Sequence, residues 1–283
     1  APLPSMSSAV HMIDRRPLWS TVLWYAVAAV LTIIAVGPAI WLIVIAFQPP
    51  GGELYSLRGG FTLDNFRAAW NDGHLARPLL NSVLITIARA ALNVFIAALA
   101  AYPLARMTFR GRDIAFVLLL ATMMIPEQVI VVPMFRMIVG MGLYDTLAAV
   151  VLPFSVTAFG IYLCRQAFMA IPGELEEAAR MDGAGSLRIW WSVILPLSAP
   201  TLATLALFSV IGAWSELLWP LIVLQNQDTF TLPVALNNMM SQFEANTRAA
   251  YAAAVLSLAP ILIVFALAQR FLKAELFGGA VKG

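Results

Sequence analysis

The chain has 283 residues, 61% of them hydrophobic and 11% charged, with a mean hydropathy of +0.86 and a formal net charge of +2. Soluble domains carry about 25% charged residues, so this balance excludes an ordinary soluble domain and indicates an integral membrane protein. With so small a net charge, and basic residues scattered rather than clustered, no nucleic-acid partner is implied.

Residues 1–14 show no apolar periodicity and are read as a flexible N-terminal segment ahead of one domain over 15–283. A helix needs about 20 mostly apolar residues to cross about 30 Å of hydrocarbon. Six runs qualify, at 19–47, 79–105, 114–138, 143–169, 194–224 and 249–272, so the predicted fold is all-α with six membrane helices. The first run follows Arg15 and Arg16 as a secretion signal would, but its apolar length is about twice that of a signal core, so it reads as an uncleaved anchor. In the polar segment 48–78, the cap signals Thr62 and Asp64 predict a short helix from Leu63 to Trp70. The third run contains Pro126, Glu127, Gln128 and Pro133, which place the end of its span near Pro126 with the remainder along the outer surface. The other five runs read as unbroken.

Basic residues near the span ends give the orientation. With the N-terminus inside, the inner segments hold Arg15, Arg16, Arg106, Arg110, Arg112, Arg165, Arg180, Arg188, Arg270, Lys273 and Lys282. The outer segments hold Arg58, Arg67, Arg77, Arg136 and Arg248, partly balanced by Glu53, Asp64 and Asp72. Both termini are therefore predicted cytoplasmic, and Arg106 and Arg110 read as orientation charges.

The largest inner segment lies between the fourth and fifth runs. Ile171-Pro172 opens a helix there, with Pro accepted in the first turn. Glu174, Glu176 and Glu177 sit near the positive end of its macrodipole, and Gly183 stops it. Leu175, Ala178, Ala179 and Met181 form a narrow face of small and apolar groups suited to docking in a groove. Helix restarts at Ser186, read as an N-cap, and Pro196 falls where the chain re-enters the bilayer. A helix lying on anionic headgroups would carry Lys and Arg; this acidic one fits a basic protein partner instead.

Ionisable residues inside spans are costly and face a cavity or a partner. Arg89 in the second run and Glu216 in the fifth lie at similar depth, roughly 15 and 12 Å by helix rise. Two readings compete: the two residues pair, within the chain or across an interface, or Glu216 lines a translocation path with Trp214 and Trp219 as sugar-stacking faces. Asn81, Ser82, Thr86 and Asn93 either face a wet path or bond between helices. Cys164 reads as a small core residue and, as the single cysteine, forms no intrachain disulfide. His11 and His74 stand apart, without the i,i+4 partner of a metal site. No catalytic triad and no phosphate-binding G-x-x-x-x-G-K-[ST] loop occur, the lysines being Lys273 and Lys282 alone.

Glu177-Ala178-Ala179, three residues, Gly183, nine residues, then Val193-Ile194-Leu195-Pro196 resembles the EAA loop of the permease subunits of carbohydrate-type ABC importers, with Val193 at a position that is usually Ile. The stretches "RQAFMAIPGELEEAARMDGAG", "GAWSELLWPLIVL", "AVLSLAPILIVFALAQRFL" and "GGAVKG" are similar to the same family, over about 15–283. The resemblance implies an inner-membrane subunit forming half of a path for a sugar or sugar-derived solute. It further implies a second related permease, two ATP-binding subunits that carry the ATP and Mg, and an extracytoplasmic solute-binding protein meeting loops 48–78 and 225–248. Its coupling helix spans Leu175, Glu176, Glu177, Ala178, Ala179, Met181, Asp182 and Gly183, with Glu177 pairing with a basic group of the ATPase and the "FGGAVKG" tail reaching toward the ATPase interface. Arg89, Asn93, Trp214 and Glu216 are the candidates for the path. Two other readings stand beside it. A membrane enzyme acting on a lipid-linked substrate would rest on Asp64 and Asp72, and a secondary transporter would show broken helices in corresponding halves.

Overall fold

The computed structural model of the chain describes residues 18–49, 60–242 and 247–278. The N-terminal segment 1–14 and the last residues of the "FGGAVKG" tail lie outside them. Every regular element among the described residues is helical. In chain order these are α1 (Leu18–Ala46), α2 (Asp64–Asn71), α3 (Ala76–Arg106), α4 (Arg112–Thr122) and α5 (Glu127–Gly140). Then come α6 (Leu147–Val151), which runs into a 3₁₀ turn Leu152–Phe154, α7 (Ala158–Met169) and α8 (Glu174–Met181). The remainder comprises α9 (Ser186–Ile189), a π turn Trp190–Ile194, α10 (Leu195–Leu197), α11 (Ala199–Ser215), α12 (Leu218–Val223), α13 (Leu232–Gln242) and α14 (Thr247–Gly278).

By length and apolarity α1, α3 and α14 can each cross a membrane alone, while three bent pairs qualify only as pairs. The chain turns by 100° between α4 and α5, by 44° between Leu147–Phe154 and α7, and by 79° between Ser186–Leu197 and α11. The first bend is the one predicted at Pro126, whose extended ψ of 132° ends the helical path. The other two correct the expectation that only the third run is broken. Thr157 is extended and its side chain accepts from the Gly160 N–H, starting α7 afresh. Ser198 lies between Pro196 and Pro200, each of which lacks an N–H for the helical ladder. The fifth run breaks again at Glu216, extended at ψ 119°, so 194–224 is not one span.

α3 is the central helix and threads three apolar clusters. At one end Ala97, Ala98, Ala101 and Tyr102 pack with Ile161, Cys164 and Phe168 of α7, Trp190 and Leu205. Small residues let these helices approach closely, which is what drives association where lipid is as apolar as the core. A Cβ on Gly160 would stand 3.0 to 3.2 Å from Thr157 Oγ1, Asn93 Oδ1 and Ala97 Cβ. Ile85 joins a middle cluster with Ile138, Val150 and Trp219. At the other end Leu75 and Ala69 pack with Ala46, Met239 and Ala252. α1 is apolar all round and exposed along most of its length, as befits a helix bathed in hydrocarbon.

Candidate functional site

The loop that sequence places inside folds as a helix ending in a Schellman motif. Gly183, at φ +80°, donates to the Arg180 carbonyl at 2.9 Å, and Ala184 donates to the Ala179 carbonyl at 3.0 Å. Glycine at that position avoids the left-handed penalty of a side chain. Glu174, Glu176 and Glu177 occupy the first turn as predicted. Pro172 lies before the helix rather than inside it, and Ser186 begins α9 without capping it, since Gly185 takes the cap position.

The two adjacent glutamates point to opposite sides. Glu177 is exposed, together with Leu175, Ala178, Met181 and Asp182. Glu176 is buried at 5% exposure, with Oε1 2.9 Å from Arg106 Nε and Oε2 3.7 Å from Arg180. The Arg106 Nη2 also donates to the Phe168 carbonyl at 2.6 Å and to the Ile171 carbonyl. The expectation that Glu176 belongs to the docking face is therefore corrected: the helix advances about 100° per residue, and Arg106 draws this one inward. Arg106 likewise does more than orient the chain, because it closes the last turn of α7. Arg165 returns the arrangement, donating to the Leu104 carbonyl of α3 at 3.1 Å while its guanidinium lies 3.9 Å over the Phe116 ring. Each cation meets the negative end of its neighbour's helix.

Inside the spans, Arg89 and Glu216 do not form an ion pair within the chain, the first of the two pairings that similar depth suggested. Glu216 Oε1 accepts from the Trp219 N–H at 3.2 Å and so caps α12. Arg89, 9% exposed, stacks 4.5 Å over the Phe154 ring, and its Nη1 is buried with no hydrogen-bond partner among the described residues. Glu216, then Glu127, are the carboxylates whose charge acts on it. The helix break at Glu216 is the reason: without a continuous fifth span, counting residues along it misplaces the carboxylate.

Asn93 is an interhelical node, not an open wall. Its Nδ2 donates to Ser209 Oγ of α11 at 2.7 Å, and its Oδ1 accepts the Thr157 N–H at 2.9 Å at the start of α7. The tryptophans are engaged too. Trp219 is 2% exposed and donates to the Ala149 carbonyl at 2.9 Å, which removes it as a sugar-stacking face. Trp214 is half-buried and donates to the Ser257 carbonyl of α14 at 3.2 Å.

The opposite end is tied by residues the sequence did not single out. Asp145, in the left-handed region at φ 59°, accepts from the Gln225 N–H at 2.8 Å, the Asn226 N–H at 3.1 Å and the Thr229 hydroxyl at 2.7 Å. The Gln225 N–H chiefly, helped by Thr229 and Asn226 and opposed by burial, holds the Asp145 carboxyl below the usual carboxylate range. Its one available signal is Gly142-Leu143-Tyr144-Asp145, a turn-forming stretch between apolar runs. Asn65 fastens α2 to the end of α1 through the Ala46 and Gln48 carbonyls, at 2.9 and 2.6 Å. α2 itself matches the predicted short helix to within a residue. Asp64 and Asp72 sit at its two ends, where Asp64 bonds Thr62 and pairs with Arg67 at 3.6 Å.

Residues 75–277 match the family described as binding-protein-dependent transport system inner membrane component, and the chain belongs to that family. It is 34% identical to the arabinooligosaccharides transport system permease protein of Halalkalibacterium halodurans, over 90% of this chain and 94% of that one. It is also 34% identical to the trehalose transport system permease protein of Mycobacterium tuberculosis, over 90% and 97%. The sn-glycerol-3-phosphate transport system permease protein of Brucella abortus is 31% identical over 92% and 96%. The fold matches a solved bacterial ABC transporter involved in the import of the acidic polysaccharide alginate, with TM-score 0.80 and 23% identity over 95% of this chain and 99% of that one. The chain is thus a membrane-embedded transport subunit, and neither the membrane-enzyme nor the secondary-transporter reading is retained.

Proposed function

We propose, from membership of this family, that the chain is the permease half of an ATP-driven importer for a sugar or sugar-derived solute, and that α8 docks in an ATP-binding subunit. The observation that carries the reading is the division of the helix faces. Leu175, Glu177, Ala178 and Met181 are exposed while Glu176 is held against the bundle. Met181 is 88% exposed, an apolar group that gains from burial against a partner. Ala178 and Gly183 permit close approach while Ala179 packs against the bundle, Asp182 closes the helix, and Glu177 supplies the charge that fixes register on a basic partner. Residues 15–283 form one permease domain, with both termini in the cytoplasm. A second, related permease completes the path, and two ATPases carry the ATP and Mg.

Closure of the ATPase pair around ATP carries the docked helices with it and rocks the spans from inward-open to outward-open. The driving free energy is the difference in ATP affinity between the two states. An extracytoplasmic binding protein delivers the solute to the end built from α2, α13 and the Asp145 turn. Such a partner fits a solved bacterial alginate ABC transporter in complex with an alginate pentasaccharide-bound periplasmic protein, a structure in which the matched chain is 19% identical to this one with TM-score 0.66. Within the spans, Arg89 and Glu216 are the charges closest to the path, since both stand at helix breaks or against them. Asn93 and Trp214 shape its wall from behind, through the bonds that hold α3, α7, α11 and α14 together.

The test is co-purification from detergent-solubilised membranes, wild type against Glu177→Lys, with mass identification of the bound chains and ATPase activity of the eluate. An ATP-binding subunit and a second permease are expected with wild type, and the ATPase is expected to be lost from the variant. Wild type that purifies without any nucleotide-binding chain would falsify the docking role of α8.

A further inference from the structure

We infer that Arg106 and Glu176 form the clamp that fastens α8 to α3 and α7, so that the adjacent glutamates divide the work: Glu177 faces the ATPase and Glu176 grips the spans. The assignment rests on α8 being the docking helix. Three observations carry it. First, backbone hydrogen bonds rather than side-chain packing hold the joints on either side of α8. Gly173 precedes it and Gly183 and Gly185 follow, and a Cβ at any of the three would meet open space, so no packing immobilises these joints. Second, α8 has little other hold on the bundle. Apart from the clamp, Arg180 reaches the Tyr102 hydroxyl of α3, and Ala179 and, past the turn, Ala184 touch the apolar cluster. Third, one guanidinium joins several elements at once. Arg106 ends α3, its Nη2 reaches the Phe168 carbonyl in the last turn of α7 and the Ile171 carbonyl of the connector, and its Nε meets Glu176 of α8 at 2.9 Å.

The guanidinium joins a charge pair with Glu176 to hydrogen bonds with the Phe168 and Ile171 carbonyls. Its Nη2 hydrogen bonds hold the guanidinium on α7, while Nε and Glu176 Oε1, 2.9 Å apart, attract by charge without a hydrogen bond between them, so swinging α8 away from α7 separates two shielded charges. The two side chains are 15% and 6% exposed, which shields the pair from solvent screening. A surface pair of long side chains would be loose and nearly neutral in energy. Arg180, at 3.7 Å from the other carboxylate oxygen, adds a second cation from within α8 itself. Force applied at Glu177 therefore reaches α3 through one residue's width of protein. A charge swap is not a fair test, because Glu at 106 would face the Phe168 and Ile171 carbonyls.

The experiment uses the complex as purified, with spin labels at Glu174→Cys in the first turn of α8 and Ile87→Cys on α3. Ile87 is 61% exposed, and Cys164, fully buried, stays unlabelled. About 19 residues of helix separate Ile87 from Arg106, roughly 29 Å along the axis, within range of pulsed dipolar spectroscopy. The parent is expected to give a narrow distance distribution. Glu176→Gln, which removes one charge at nearly constant shape, is expected to broaden it about twofold as α8 opens locally, with the ratio of ATP-binding subunit to permease unchanged. Arg106→Lys, which keeps the charge and loses the fork, should fall between. A Glu176→Gln distribution as narrow as the parent's overturns the clamp. Should that variant fail to elute as a folded species, Glu176→Asp, one methylene shorter, is read by the same criterion. If the parent brings down no ATPase, the docking reading fails, while the label widths on the chain alone still decide the clamp.

Discussion

Replacing Asn93 by Ala separates a packed interhelical node from a wet wall. The side chain is 4% exposed and serves three partners: Ser209 Oγ at 2.7 Å, the Thr157 N–H at 2.9 Å and the Thr157 hydroxyl at 3.2 Å. These losses are unequal. The Thr157 N–H has no carbonyl to turn to at the start of α7, and a buried orphan donor costs about 1–3 kcal/mol. Ser209 still donates to the Leu205 carbonyl at 2.9 Å, so it forfeits one acceptor role, about 0.6 kcal/mol by the measured average for such bonds in membranes. Thr157 Oγ1 keeps the Gly160 N–H at 3.0 Å, and its own loss is small. Asn93→Ala is therefore expected to destabilise the protein by about 2–3 kcal/mol. Equilibrium unfolding in mixed micelles, followed by tryptophan emission, measures it, since Trp190 and Trp219 are buried reporters. A loss below about 0.5 kcal/mol would mean that water takes over the amide's bonds. The node would then be wet, and Asn93 would belong to the open path.

Two further outcomes follow from local geometry. Gly183 at φ +80° has open space where a Cβ would sit, so Gly183→Ala is charged only the left-handed backbone penalty, about 1–2 kcal/mol. Gly183→Asn should recover much of it, and limited proteolysis between α8 and α9 reads the difference. Asp145 binds the 225–229 turn through its ionised form, which holds its folded pKa below the unfolded one. That contribution is complete above the ordinary carboxylate pKa of about 3.9 and is lost as pH falls through the lower folded value. Hydrogen exchange of the Gln225 and Asn226 amides should stay protected down to pH 4 and speed up below it, and Asp145→Asn should show fast exchange at neutral pH.

The helical class, α8 with its Gly stop, and α2 were legible because each rests on local pattern: apolar runs, a Gly stop after an acidic first turn, and cap residues before an amphipathic stretch. The breaks were not, because an apolar run has the same hydropathy whether its backbone is straight or bent. Proline did not discriminate either. Pro38, Pro103, Pro133 and Pro260 all lie inside continuous helices, whereas Pro196 and Pro200 flank the bend at Ser198. The roles of Glu176 and Glu177 were equally beyond local reading. Which of two adjacent glutamates turns inward is set by Arg106, some 70 residues earlier, and that contact depends on how α3 and α7 cross. Trp219 misled for a related reason: the flat apolar face that suits a sugar ring suits Phe154 as well, whose ring it meets edge-on at 6.3 Å.

The breaks and Arg89 explain each other. A buried guanidinium without a matched carboxylate is among the most expensive groups to place at membrane depth. Here the 3₁₀ turn at Leu152–Phe154 brings the Phe154 ring over the guanidinium, the end of α11 brings Glu216, and the start of α5 brings Glu127. One bent segment thus touches the guanidinium of the straight central helix, and two others carry carboxylates whose charge reaches it. Non-helical backbone is tolerated at this depth only where it is buried in protein or borders water, and a transport subunit has use for both. The same bends that defeated span counting are the places from which Phe154, Glu216 and Glu127 act on Arg89.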